Sequence, residues 1–231
     1  MAEREGTSTR VQRAPLSRER VLRCAVGIAE ARGLGALTMR SLAQELAVKP
    51  MSLYHHVASK DAILDGIVDL VFSEIELPSP GGDWRAEVRR RAASAREVLR
   101  RHPWAVALME SRTTPGAATL RHHEAVLATL RAAGFSVEMT GHAYAVLDAF
   151  VYGFAVQEAG LPFTGTDGAV EVAGAIAEDF ASGQYPHMVE FATERVLRPG
   201  YDFGDEFEFG LNLILDALER SLPDGGAGSR G

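Results

Sequence analysis

The 231 residues suffice for one large or two small domains, and 46% hydrophobic against 24% charged residues allows a sizeable buried core. A single cysteine, Cys24, excludes an internal disulfide and fits a reducing, cytoplasmic compartment. The net charge of −7 argues against a nucleic-acid partner for the chain as a whole, but the charge is polarised. Residues 1–60 carry ten Lys/Arg against five Asp/Glu, net +5, and residues 61–231 carry fourteen against twenty-six, net −12.

Residues 1–15 hold Arg4, Arg10 and Arg13 without the apolar stretch of a signal peptide. They read as a flexible basic arm, either a disordered tail or an extra contact to phosphate or the minor groove. A first helix is expected over 16–32, with Val21, Leu22, Ala25, Ile28 and Ala29 inward and Gly33 ending it. Cys24 falls on this helix as a small core residue.

Residues 38–61 are the most telling. Thr38 can cap a helix whose apolar positions Met39, Leu42, Ala43 and Leu46 recur at helical spacing. After a break at Ala47-Val48-Lys49, Pro50 fits the opening turn of a second helix. Leu53 and Val57 point inward, and Met51, Ser52, Tyr54, His55 and His56 point outward or sideways. An exposed run of hydroxyl, phenol and imidazole groups supplies donors and acceptors for base edges and phosphates. The pair therefore predicts a helix-turn-helix, whose second helix enters the major groove. Ser59 caps the next helix, expected over 59–75, with Asp61 in its first turn and Ile63, Leu64, Ile67, Val68 and Val71 apolar.

The rest is punctuated by Gly and Pro and shows no strand alternation, so an all-α chain is expected. Pro78-Ser79-Pro80-Gly81-Gly82 marks a boundary, and Asp83 caps a helix to about residue 101. The arginines of that helix (85, 89, 90, 91, 96, 100 and 101) read as a solvated face, with long stems over the core, rather than a nucleic-acid surface. Further helices are expected over 104–112, 115–134, 137–159, 169–182, 186–197 and 203–222. The domains are read as an arm (1–15), a DNA-binding domain with linking helix (16–76), a helical body (83–222) and a disordered Gly/Ser-rich tail (223–231). No run of about 18 uncharged apolar residues exists, so no membrane span is expected.

The segment Leu-Ala-Val-x4-Leu-Tyr-His-His-Val-x-Ser-Lys-Asp-x-Ile-Leu, residues 46–64, resembles the DNA-binding domain of the TetR family of transcriptional regulators. The resemblance covers about residues 16–72. It implies a homodimer on double-stranded operator DNA, released by a small-molecule effector. It places Thr38, Arg40, Lys49, Pro50, Met51, Ser52, Tyr54, His55 and His56 at the DNA, with Lys60 as the phosphate lysine. An activator or architectural binder without an inducer is the alternative reading. The family usually has Gly in the turn where this chain has Ala47.

In the body the resemblance implies an effector pocket walled by the fifth to eighth helices. Trp104, Met109, Arg112, His122, Tyr144, Phe154 and Gln157 are its candidates, although each aromatic reads equally well as plain core. In its spacing from Pro115 through Gly134-Phe135-Ser136 to Gly153 the body is also similar to the tetracycline-repressor class, which holds its drug as a metal chelate through a His before the Pro and a Glu after the Gly. Glu110 and Gln157 stand at those positions, so a metal-free organic ligand and no cofactor are expected. His122-His123-Glu124 does not suggest a metal, since adjacent helical histidines point about 100° apart. Their nearest companions would be His102, His142 and Asp148. Dimer contacts are expected from the 137–159 helix and from the stripe Phe207, Leu211, Ile214, Leu215 and Leu218 on the last helix, which could equally face its own core. No catalytic residues are expected: no phosphate loop, nucleophile elbow or paired-carboxylate constellation appears.

Overall fold

A computed structural model describes residues 15–222, apart from residues 110, 163–167, 169, 173 and 175–182. Among the described residues all regular structure is helical. Residues 1–14 of the expected arm, the Gly/Ser-rich tail, the position of Glu110 and most of the 169–182 helix lie outside those residues. The chain forms two compact units, divided between Ile67 and Val68 within one continuous helix.

The first unit holds α1 (Arg18–Arg32), α2 (Met39–Leu46), α3 (Pro50–Leu53) and the first half of α4 (Lys60–Glu74). Ser17 caps α1, accepting from the Arg20 N–H at 3.2 Å. The five inward residues expected on α1 are buried, and Leu37, Leu42, Ala43, Leu46, Leu53, Val57, Ile63 and Ile67 complete the core. Cys24 is half-buried.

The turn after α2 is a Schellman closure. The Ala47 N–H donates to Gln44 O at 3.1 Å and the Val48 N–H to Ala43 O at 2.9 Å. Ala47 must then sit in the left-handed region, at φ 54°, ψ 46°. It is the one non-glycine residue with positive φ among those described. Its Cβ meets the following carbonyl there, which costs about 1–2 kcal/mol. Ala47→Gly is expected to raise stability by about 1 kcal/mol in chemical denaturation, net of glycine's larger unfolded-state entropy. An unchanged or lower midpoint would mean the strain is relieved elsewhere.

The second unit holds the rest of α4, α5 (Trp84–Arg101), α6 (Val106–Met109), α7 (Ala117–Ala132), α8 (Val137–Gly160), α9 (Pro186–Phe191) and α10 (Asp205–Arg220). Asp83 Oδ1 caps α5, accepting from Arg85 and Ala86, and Ser136 caps α8. The core is built around α8, which packs on α5, α7 and α10. Two helices are shorter than expected. The 104–112 stretch becomes a 3-10 turn, Pro103–Ala105, followed by one turn of α6. Residues 186–197 are α9 followed by a π-helical turn, Ala192–Val196.

The α5 arginine face is not merely solvated. Arg85 pairs with Asp216 and Glu219, Arg89 with Glu208 and Asn212, Arg90 with Glu76 and Glu87, Arg96 with Glu158, and Arg101 with Glu74. The exposed pairs are each worth at most about 1 kcal/mol, and those of Arg85, Arg89 and Arg96 tie α5 to α10 and α8. Arg91 is not on that face at all: it is buried.

Candidate nucleic-acid interface and effector site

In the first unit, Thr38 and Ser41 form a reciprocal capping pair. Thr38 Oγ1 accepts from the Ser41 N–H at 3.0 Å, and Ser41 Oγ accepts from the Thr38 N–H at 2.9 Å. That pair fixes the start of α2 beside Arg40, which is exposed. Lys49 is the N-cap of α3 and Pro50 its first residue. Leu53 and Val57 are buried beneath, so the intervening side chains turn outward: Met51 is 72% and Tyr54 48% exposed, and His55 is exposed. Ser52 and His56 are half-buried.

The recognition segment is shorter than a full helix. Regular α-structure ends at Leu53, and the His56 and Val57 N–H groups both close back on Leu53 O. Tyr54, His55 and His56 therefore stand in a turn. Histidine, tyrosine and β-branched valine are weak helix formers, and Ser59 begins a new helix at once by accepting from the Ala62 N–H at 3.1 Å. Lys60 opens α4 and is exposed.

In the second unit the seven candidate residues sit in several different settings. Trp104 is half-buried before α6 and meets His102 edge-on at 5.9 Å. Met109 ends α6, packed against the core, and Arg112 is half-buried in the following link. Phe154 belongs to a knot between α8 and α10, stacked on Phe203 at 4.8 Å and edge-on to Phe207 at 5.1 Å, with the Arg96 guanidinium over its ring. Gln157 is exposed on α8.

His122 and Tyr144 both flank a buried ion pair, one member of which, Arg91, was expected on the solvated face. Arg91 is 1% exposed and pairs with Asp148 across α5 and α8 at 2.7 Å. Its Nε–H donates to His122 Nε2 at 3.0 Å. The signal was available: Val88, Ala92, Ala95 and Leu99 form the buried stripe of α5, and Arg91 falls in register with it. Thr140, Tyr144, Asp148 and Tyr152 likewise repeat every four residues along α8. Phe72, His122, His123 and Tyr144 form a chain of ring contacts with centroids 5.1–5.6 Å apart beside this polar group.

Burial, with the Arg91 guanidinium and His123 adding to it, lowers the His122 pKa to about 3. Burial and then the charge of Asp148 hold the Tyr144 phenol well above its ordinary value. His122 is therefore neutral in the folded chain, while an unfolded histidine titrates near 6.5. Between those values the unfolded state binds a proton that the folded state does not, so stability is lost as pH is lowered from 6.5 towards 3, by up to about 1.4 kcal/mol per unit. His122→Leu cannot titrate. The stability gap between wild type and this variant should narrow as pH drops from 6.5 to 4, read by denaturant melts. A constant gap would mean that the folded imidazole takes up the proton freely.

One joint links α4 to α7. Gly116 is the N-cap of α7 and offers no side chain. Asp69, on the second half of α4, stands in: its Oδ1 accepts from the Thr119 N–H at 2.8 Å and from Thr119 Oγ1 at 3.1 Å. A Cβ on Gly116 would overlap the Asp69 carboxylate, so glycine here is a packing requirement.

Residues 21–67 match the bacterial regulatory proteins of the tetR family, and residues 77–222 match the tetracyclin repressor-like C-terminal domain. The HTH-type transcriptional repressor DrrR1 of Streptomyces coeruleorubidus is 36% identical over 225 residues, covering 92% of this chain and 82% of that protein. The tetracycline repressor protein class C of Escherichia coli is 28% identical over 208 residues, covering 89% and 91%. The crystal structure of the Streptomyces coelicolor TetR family protein ActR in complex with actinorhodin aligns with a TM-score of 0.73 at 29% identity, covering 91% of this chain and 100% of that chain. ActR in complex with (S)-DNPA aligns at 0.74 and 30%, covering 90% and 99%. With a helix-turn-helix in one unit, an all-helical second unit, and family matches on both, this chain belongs to the tetR family of bacterial transcriptional regulators.

Proposed function

We propose that the protein is a repressor that binds a palindromic operator as a homodimer and is released by a small organic effector held in the second unit. It acts in the cytoplasm, where such an operator lies. The carrying observation is the α3 region, where Leu53 and Val57 are buried and Met51 and Tyr54 project into solvent. Base edges are read by Met51, Ser52, Tyr54, His55 and His56. Thr38, Arg40, Lys49, Pro50 and Lys60 set the position on the phosphates. One short segment offers too few contacts for specific binding, whereas two copies about one helical turn of DNA apart read a palindrome.

Surface features of α8 and α10 support dimerisation. Phe207, Leu211, Leu215 and Leu218 serve the protomer's own core, yet Phe209, Leu213 and Ala217 form a second row, exposed on α10. On α8, Gly141, Ala145, Ala149 and Gly153 leave an exposed small-residue track flanked by Val146 and Val156. An apolar groove of about 430 Å³ lies between Met139, Val146, Leu213, Ile214 and Ala217. A four-helix contact with a second copy covers these rows.

Release follows from α4 being continuous. An effector that displaces α7 moves Asp69 and thereby α4, and the spacing of the two DNA heads no longer fits. The effector's differential affinity for the two states sets the extent of release. Selection of duplexes from a random pool at about 0.15 M salt tests the reading. A palindrome with half-sites about 10 base pairs apart is expected; no enrichment by a folded dimer would overturn it. Lys60→Ala should weaken binding to all sequences alike and flatten the logarithmic salt dependence by about one unit per protomer. An unchanged slope removes Lys60 from the phosphate contacts.

A further inference from the structure

The hydrogen bond from Arg91 to His122 decides more than local packing. A guanidinium has donors and no acceptor, so His122 Nε2 must accept. A neutral imidazole carries one N–H, which is then on Nδ1. His122 is 0% exposed, and its Nδ1 has no hydrogen-bond partner among the described residues. The second unit thus holds a fixed, buried donor aimed away from Arg91. Leaving such a donor unmatched is costly, and native proteins rarely do so.

Two neighbours narrow what would match it. Arg91 is neutralised by Asp148 at 2.7 Å, so a carboxylate or phosphate arriving here would find no uncompensated cation and would face the Asp148 charge. The adjoining walls are ring faces and edges: Phe72, which is buried, and His123 and Tyr144, which are half-buried. We infer that the effector of this protein is a neutral, planar aromatic ketone or quinone, whose carbonyl oxygen accepts from His122 Nδ1–H while its rings lie against Phe72, His123 and Tyr144. This assignment rests on the reading of the second unit as the effector-binding part.

The test uses matched probes that differ only in the acceptor: fluorenone against fluorene, and xanthone against xanthene. Binding to the full-length protein is read by thermal shift and tryptophan fluorescence. The ketones are expected to bind about ten- to a hundredfold more tightly than their methylene partners. His122→Asn and His122→Leu both remove the imidazole Nε2 to which Arg91 donates, but only Asn keeps a donor near the Nδ1 position. The ketone preference should survive in the first and vanish in the second. In wild-type protein labelled with 15N-histidine, the His122 Nδ1–H proton should move downfield with xanthone and not with xanthene, which keeps the test standing if the Leu variant fails to fold. Equal binding within each pair, no binding by any ketone, or a preference that persists in a folded His122→Leu would each overturn the assignment. Operator release is scored separately. A ketone that binds in this way but leaves DNA bound supports the assignment and counts against the release mechanism.

Discussion

Asp148→Ala is expected to destabilise the second unit by about 3–5 kcal/mol, the cost of leaving a buried guanidinium without its counter-charge. Arg91 is 1% exposed and cannot reach water without breaking the α5–α8 contact. For a chain of this length the loss corresponds to a fall in Tm of about 10 °C. The size comes from desolvation of the stranded partner, not from the pair's own attraction. The double substitution Arg91→Met with Asp148→Leu should therefore recover at least half of the loss, although His122 Nε2 then lacks its donor. If Asp148→Ala lowers Tm by no more than an exposed substitution such as Glu97→Ala, Arg91 has found another anion or water, and the pair does not organise the core.

Tyr54→Ala should have the largest effect on DNA binding. The ring is 48% exposed on a turn whose Leu53 neighbour is fully buried, so its removal leaves the first unit folded. A side chain at a base edge contributes about 1–3 kcal/mol, and a two-fold dimer makes the contact twice. The combined loss of about 2–6 kcal/mol is a thirtyfold to more than ten-thousandfold weakening on the operator. Affinity for unrelated DNA, which depends on phosphate contacts, should hardly change. Titrating operator and scrambled duplexes side by side at fixed salt separates the two. Equal weakening on both would place Tyr54 on the backbone rather than the bases.

The first unit was readable from sequence because its determinants are local. Thr38 and Ser59 cap helices within four residues of their own position, and Leu53 and Val57 are one helical turn apart. The length of α3 was not readable that way, since it ends where tertiary closure onto Leu53 competes with a weak helix former. In the second unit, helix order followed from Gly, Pro and caps, but the polar centre did not. Arg91 reads as one of seven surface arginines when charge alone suggests exposure; its register with Val88, Ala92 and Ala95 is the stronger signal. The last helix carries two apolar rows rather than one, and only burial separates Phe207 and Leu211 from Phe209 and Leu213. Of the ligand candidates, His122 and Tyr144 are linked through the ring of His123, whereas Phe154 packs with Phe203 and Phe207 and Gln157 is exposed, because aromatic identity alone does not say which wall a helix turns inward.

The Asp69–Thr119 joint separates recognition from response. On the proposed mechanism, what is bound depends on His122, His123 and Tyr144, while what the cell hears depends on whether the first turn of α7 keeps its borrowed cap. The two sets share no residue. Substitutions that retune chemical preference can then accumulate on α7 and α8 without silencing the output, provided Asp69 and Gly116 stay as they are. Conversely, a change at that joint should yield a sensor that still takes up its effector and no longer reports it.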